Sequence, residues 1–382
     1  MAALIIAVAL IAAVEVTPAA AQIYDVLYTF SPYTGAWPYG TLVRDSDGNL
    51  YGTTYQGGAS LVGEVFELSP NGTETLLHSF STSNDGYWPF AGVTRSSGIV
   101  YGTTYYGGMG GCTQGCGTVF KISKGVEAIF HSFAGGTTDG CNPNGGVLVH
   151  GGNLYGTTGG CGAYGFGTVW KLTSKGVETI LHHFAGGTTD GANPEFGNLI
   201  VDSAGNLYGV TNSGGSANAG TVFMIDSSGN ETILYSFAGQ PNDGGDPNGT
   251  LVRDSSGNLY GVTSYGGTTN NGTVWKLSAS GVETVLHNFN GGADDGAFPL
   301  AGVVRASGNL YGVAYYGGIN GAGVIWKLTN KEVFSVLHSF DCATDGCCPI
   351  GGVVRDSNGN LYGTAYYGGN PGPYGTVWEY LP

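Results

Sequence analysis

Asn258-Leu259-Tyr260-Gly261, followed shortly by the pair Gly266-Gly267, is the stretch whose reading decides the fold. Its core, Tyr-Gly behind an apolar residue, returns at Tyr51, Tyr101, Tyr155, Tyr208, Tyr260, Tyr311 and Tyr362, at spacings of 50, 54, 53, 52, 51 and 51 residues. Seven copies at so steady a period describe one repeated unit rather than several domains. Around Tyr260 the unit holds four strand-length segments, 249–254, 258–264, 272–277 and 283–289, rich in Val, Thr, Leu and aromatics. Asp254-Ser255-Ser256-Gly257 joins the first two and Ser278-Ala279-Ser280-Gly281 the last two. In such turns Asp or Ser bonds backbone amides and Gly supplies a positive φ.

A four-strand antiparallel meander of about fifty residues has the length of a propeller blade. A single such sheet would expose both faces, whereas blades packed in a ring cover one another. A parallel β-helix would need much shorter turns of chain. Residues 24–30 read as a fourth strand, like 231–237, while the chain ends on 375–380, a third strand with no fourth behind it. The N-terminal strand is therefore expected to complete the last blade, giving an all-β, seven-bladed propeller. The third strand carries Phe66, Phe120, Trp170, Phe223, Trp275, Trp326 and Trp378 at one position, and the second carries the Gly after Tyr. Glycine in a strand lets a neighbour approach closely, so the ring is expected to pack over that bare backbone, within or between blades.

Composition limits the partners. The chain has 382 residues, 72 of them Gly, with 10% charged, 12% aromatic and a net charge of −15. That is too apolar for disorder, and an acidic surface repels nucleic acid and anionic membranes. Residues 2–14 form an apolar run too short to span a bilayer, followed by Pro18-Ala19-Ala20-Ala21-Gln22, which resembles a cleavage site. We read 1–21 as a signal peptide and 22–382 as the propeller. No Lys or Arg precedes the run; a start placed late in a longer leader would account for that and lead to the same export. Seven cysteines, Cys112, Cys116, Cys141, Cys161, Cys342, Cys347 and Cys348, suit an oxidising compartment and loop-stapling disulfides of unreadable connectivity, with at least one cysteine left over. No His or second Cys pair completes a zinc site around Cys112 and Cys116.

The resemblance carried by Asn-Leu-Tyr-Gly-Thr, the Gly-Gly pair, Gly-Thr-Val-Phe/Trp-Lys-Leu and the Asp-Gly-x-x-Pro loop is to the GloVer tandem-repeat family, bacterial exported proteins often described as carrying a choice of C-terminal anchors. It covers about residues 23 to 382 in all seven units. It implies export and a repeat architecture, and no established activity or site residues. The chain stops at its last strand, so the expectation is a free secreted or periplasmic protein.

Alternate connections of a meander lie at one end, so the Asp-Gly-x-x-Pro loops share a face, here called the top, with the loops after Tyr-Gly-Gly. Asp85, Asp139, Asp190, Asp243, Asp295 and Asp345 recur there, with Thr34 in the first unit. A carboxylate ring could bind a cation, but Asp before Gly holds its own turn, and repetition in nearly every unit favours that role. The five arginines, Arg44, Arg95, Arg253, Arg305 and Arg355, end the first strand and are read as bridges to the next blade rather than an anion ring. His78, His131, His182, His287 and His338 share a position with Tyr28 and Tyr235. Phenol cannot replace a catalytic imidazole near neutral pH, so these are structural. Nucleophile-elbow, zinc-protease, phosphate-loop and EF-hand motifs are missing, and no cofactor or metal is expected.

Departures from the repeat locate function better than the repeat does. Before the top-loop Pro stand Trp37, Trp88, Asn142, Asn193, Asp246, Phe298 and Cys348. Before the Gly-Gly pair stand Tyr55, Tyr105-Tyr106, Tyr265, Tyr315-Tyr316 and Tyr366-Tyr367, but no aromatic in blade three (Thr158) or four (Asn212-Ser213). Trp37, Trp88, Tyr105, Tyr106, Tyr316, Tyr366 and Tyr367 are thus the expected binding platform, suited to carbohydrate or a protein partner. The expectation is a monomeric binding module with no catalytic residues. The alternative is a glycan-active hydrolase or lyase whose carboxylates sit among the top-face Asp residues.

Overall fold

The computed structural model describes residues 22–82 and 85–382; the leader expected at 1–21 lies outside the described residues. Among the described residues there is no helix, and the strands form seven antiparallel four-stranded blades of a propeller. In blade five the strands are Gly244–Arg253, Leu259–Gly266, Thr273–Leu277 and Glu283–Asn288, in sequence order across the sheet. The first runs five residues beyond the expected start because the top loop itself pairs, Gly244 opposite Gly266. In other blades the loop pairing is separated from the first strand or absent, as in the separate pair Gly296–Ala297 with Tyr316–Gly317. The first strand then shrinks to two or three residues, such as Val43–Arg44 or Val304–Ala306. The ring closes as expected: Ile23–Thr29 pairs antiparallel with Thr376–Leu381, Tyr24 opposite Tyr380.

Each blade is built on one contact within the sheet. The glycine after Tyr lies directly opposite the third-strand aromatic in all seven blades, from Gly52 and Phe66 to Gly363 and Trp378. A Cβ on Gly261 would stand 2.5 Å from Trp275 Cζ2. The ring therefore covers bare backbone within its own blade. All seven rings are fully buried, a gross gain of about 4–6 kcal/mol each. The Phe ending each fourth strand then meets the next blade's ring, as in Phe80 on Phe120 and Phe237 on Trp275 at 5.2 and 5.4 Å between centroids.

A second contact joins the blades. The residue before each top-loop Pro is left-handed, with φ between 54° and 59° at Trp37, Trp88, Asn142, Asn193, Asp246, Phe298 and Cys348. This turn aims its N–H at the preceding blade: Trp37 donates to the Tyr374 carbonyl, Trp88 to Val62, Asp246 to Ala219 and Phe298 to Asn271. The Pro behind it lies on the glycine that opens the preceding third strand, Pro89 on Gly63, Pro299 on Gly272 and Pro38 on Gly375.

Polar repeats reinforce the same joints. Arg95, Arg253 and Arg305 lie over Tyr51, Tyr208 and Tyr260 of the preceding blade and within 3.9–4.0 Å of Asp45, Asp202 and Asp254, which also accept those tyrosines' hydroxyl protons. The arginines are thus bridges. Four of the repeated histidines bond the Asp of the top loop that follows their strand, such as His78 to Asp85 at 3.1 Å and His287 to Asp295 at 3.0 Å, while His131 pairs with Glu178 at 3.4 Å. Those Asp residues also hold their own turns, Asp243 accepting from the Ala238 and Gly244 amides. The next blade adds a Glu to three of these pairs, Glu127, Glu178 and Glu231, or a stacked ring, Phe334 on His287 and Tyr24 on His338. Where Thr34 replaces the Asp, the Glu64 carboxylate from the third strand of blade one lies against Gly35 instead. Cys112–Cys116, Cys141–Cys161 and Cys342–Cys347 are disulfides, and Cys348 is free and buried.

Three measurements test this account. Gly272→Ala forces a side chain onto a φ of +93°, against the Thr263 carbonyl and 2.8 Å from Pro299 Cδ. It should cost about 3 kcal/mol or more, whereas Gly245→Ala, with no atom nearer than 3.6 Å, should leave the Tm nearly unchanged. Deleting residues 23–30 should lower the Tm of the whole domain, and an unchanged melt would contradict the closure. Burial, with help from neighbouring carboxylates, pushes Glu231 and Glu283 up to about 7 and Glu64 up to about 8. Between the ordinary value of 4.5 and these values the folded protein holds protons that the unfolded chain has released, so stability falls as pH rises through that window. Tm should be higher at pH 5 than at pH 8, and the difference should shrink when all three are Gln; a Tm that rises with pH would contradict this.

Candidate functional site

The clasp that joins the blades also aims side chains at the axis. After the left-handed residue and its Pro, the chain presents Tyr39, Phe90, Asn144, Glu195, Asn248, Leu300 and Ile350 to a central cavity of about 470 Å³. These seven are sorted by side. Blades six, seven, one and two contribute Leu300, Ile350, Tyr39 and Phe90; blades three to five contribute Asn144, Glu195 and Asn248. The residue after the Thr or Ala near the end of the second strand sorts the same way. It is Tyr315, Tyr366, Tyr55 and Tyr105 on one side and Gly159, Asn212 and Ser264 on the other. Together with the residues before Pro, three positions per blade place an aromatic wall opposite a polar one.

From blade seven through blade one to blade two the aromatic wall is continuous. Trp37 lies 6.4 Å from Tyr366 and 6.5 Å from Tyr55, and Tyr55 lies 5.2 Å from Trp88. Trp88 lies 5.4 Å from Tyr106, Tyr106 4.7 Å from Tyr105, and Tyr366 4.3 Å from Tyr367. Six of the seven residues expected to form the platform are thus brought together. Tyr316, 45% exposed, belongs to a separate group with Phe298 and Tyr315, 6.1 and 4.5 Å away. Tyr367 is 40% exposed and Trp37 and Trp88 are half-buried, so the wall offers ring surface as well as packing.

Two features escape the repeat reading. Blade four has one extra residue between its Pro and the core Leu199: Pro194-Glu195-Phe196-Gly197-Asn198-Leu199 against Pro38-Tyr39-Gly40-Thr41-Leu42 in blade one. The insertion turns Phe196 left-handed, at φ 55°, and sends its ring across the axis to within 5.7 Å of Tyr39. The inward position itself was also missed, although it stands one residue beyond the Pro and follows the same asymmetry.

The polar wall is hydrogen-bonded and acidic. Asn212 Nδ2 donates to Asp246 Oδ1 at 2.7 Å and to Asn248 Oδ1 at 3.1 Å, and the Glu195 amide donates to Asn212 Oδ1 at 3.3 Å. Burial raises the pKa of Glu195, the nearby Asp246 charge raises it further, and the Asn144 amide opposes both. Burial likewise raises Asp246, against the Asn212 and Asn248 amides. Tyr39 is pushed up to about 12, first by burial and then by the facing Glu195 charge, so the carboxylate is within electrostatic reach of the aromatic wall.

Sequence comparison matches the model of the Gloeobacter/Verrucomicrobia repeat to residues 13–138, 108–252 and 198–382. Among curated proteins none matches. Solved structures share the architecture at low identity. The extracellular domain of a putative one-component system from B. thetaiotaomicron aligns over 93% of this chain and 39% of its own, at 11% identity and a TM-score of 0.56. A puromycin hydrolase aligns over 86% and 50%, at 12% and 0.52. A putative 6-phosphogluconolactonase from Bacteroides uniformis aligns over 78% and 83%, at 14% and 0.50. At these identities the likeness is one of fold.

Proposed function

The chain belongs to the Gloeobacter/Verrucomicrobia repeat family, and within it we propose that this member is an exported, non-catalytic module that binds carbohydrate between the two walls of the top face. The observation that carries this reading is the facing of Tyr39 and Phe90 against Asn144, Glu195 and Asp246 around one cavity, with the rings of Tyr55 and Tyr366 extending that aromatic side outward to Trp88 and Trp37. A sugar ring has an apolar face that stacks on aromatics and an edge of hydroxyls that amides and carboxylates recognise. Tryptophan at a left-handed position adds weight. That conformation costs about 1–2 kcal/mol for a side chain other than Gly, Asn or Asp, and blades three to five use Asn, Asn and Asp there. Keeping Trp37 and Trp88 in spite of that cost suggests a role for their rings. Three disulfides and the apolar leader support export.

Catalysis is less well supported. The six repeated Asp residues are engaged by backbone amides or latch side chains. Glu195 and Asp246, the carboxylates that line the cavity, are both shifted upward, whereas acid–base cleavage calls for a pair pushed apart.

The test is calorimetric titration with a panel of oligosaccharides, scored also for reducing-end release. Trp37→Asn and Trp88→Asn place at those sites the residue that blades three and four carry. Each should weaken binding at least tenfold while leaving the Tm within a few degrees of wild type. Trp275→Ala, in the buried core, should chiefly destabilise. Asn variants that bind as wild type would remove the platform, and reducing-end release would replace the binding module with an enzyme.

A further inference from the structure

The polar wall holds two carboxylates and no countercharge. Glu195 and Asp246 both line the cavity, and none of its lining residues is Lys, Arg or His. At the blade joints, acids such as Asp45, Asp295 and Asp243 are met by an Arg bridge, a His latch or backbone amides. Two partly buried carboxylates facing one cavity without a basic side chain offer a place for a cation.

A second observation is independent of charge. Asn144 is 2% exposed, and its Oδ1 is buried with no hydrogen-bond partner. A buried amide oxygen left unpaired costs about 1–3 kcal/mol. It points to a space bounded by other oxygens. A Cβ on Gly159 would meet Glu195 Oε1 at 3.1 Å, Asn144 Oδ1 at 3.5 Å and the Asn142 carbonyl at 3.5 Å. Gly159 stands where blade two has Tyr105 and blade seven has Tyr366, so the absent tyrosine is what opens this space. Two loops, Asn142–Asn144 and the one holding Glu195, bring their oxygens to one place, and Asn212 bonds Asp246 of a third loop at 2.7 Å.

We infer that this corner of the cavity binds a divalent cation, through the Glu195 carboxylate and Asn144 Oδ1, with Asp246 supplying the second negative charge. The donors are carboxylate and carbonyl oxygens, which select a hard ion over zinc or copper. They come from loops on separate blades rather than from a rigid octahedral cage, which suits calcium better than magnesium. The inference does not depend on the carbohydrate reading, because these oxygens would bind the ion with or without a sugar.

The experiment uses the full chain, stripped with chelator and titrated with calcium chloride alone, by calorimetry and by thermal melting. The expected result is one saturable site with a Kd between about 10⁻⁵ and 10⁻³ M, as in extracellular and sensor sites, and a Tm that rises with calcium. Glu195→Gln should weaken calcium binding at least tenfold and raise the Tm of the calcium-free protein, since it removes an uncompensated buried charge. Asp246→Asn gives the same reading should Glu195→Gln fail to fold. Asp226→Asn, in an exposed turn on the opposite face, should bind calcium as wild type does. Absence of both heat and Tm shift up to about 10 mM calcium, or calcium binding unchanged in Glu195→Gln and Asp246→Asn, would overturn the assignment. Equal binding of magnesium would overturn the choice of ion. Loss of sugar binding in the Trp37 and Trp88 variants, with calcium binding intact, would separate the two sites.

Discussion

The structure depends on the clasp between neighbouring blades. A left-handed residue donates its N–H to the preceding blade, and the Pro behind it covers a glycine there. Each half accounts for the other. The donor can reach across only if the backbone turns left-handed, and the Pro can lie flat only if the facing residue has no Cβ. Propellers have no covalent ring, so every joint must be good enough to hold the last one, where Trp37 meets Tyr374 and Pro38 meets Gly375. The N-terminal strand then completes the seventh sheet from the other end of the chain.

The same clasp decides where function can be written. Its geometry demands a left-handed residue and a Pro but leaves the side chains on either side of the Pro free. Asn and Asp meet the backbone demand cheaply because their short polar side chains tolerate that conformation, and they appear in blades three, four and five. Trp37, Trp88 and Phe298 meet it at a cost. The clasp is thus uniform in backbone and asymmetric in side chain, and its asymmetry becomes the two walls of the cavity.

Charge follows a related logic. The bridges of Arg95, Arg253 and Arg305 and the latches of His78, His182, His287 and His338 engage the recurring Asp residues at the blade joints. Where Thr34 replaces the loop Asp, the Glu64 carboxylate lies against Gly35 with neither oxygen hydrogen-bonded. In the central cavity Glu195 and Asp246 meet no basic side chain, and the Asn144 oxygen is unpaired.

Much of this was legible in the residues alone. The period of Tyr-Gly set the number of blades, the strand count set the closure, and the glycine opposite an aromatic set the core of each sheet. These are nearest-neighbour relations, either within one unit or between one unit and the next, and a repeat displays them seven times. The exchange of His for Tyr was enough to mark that position as structural, and the uneven spread of Trp and Tyr marked the aromatic side. Tertiary structure alone decided what meets across the axis: Phe196 against Tyr39, Glu195 facing the aromatic wall, and Asn144 beside the space that Gly159 leaves. It also placed Tyr316 apart from the other platform residues and chose the cysteine partners. The physical reason is that closing the ring brings together residues about 150 positions apart, such as Tyr39 and Phe196. No periodic signal in the chain records such a pair.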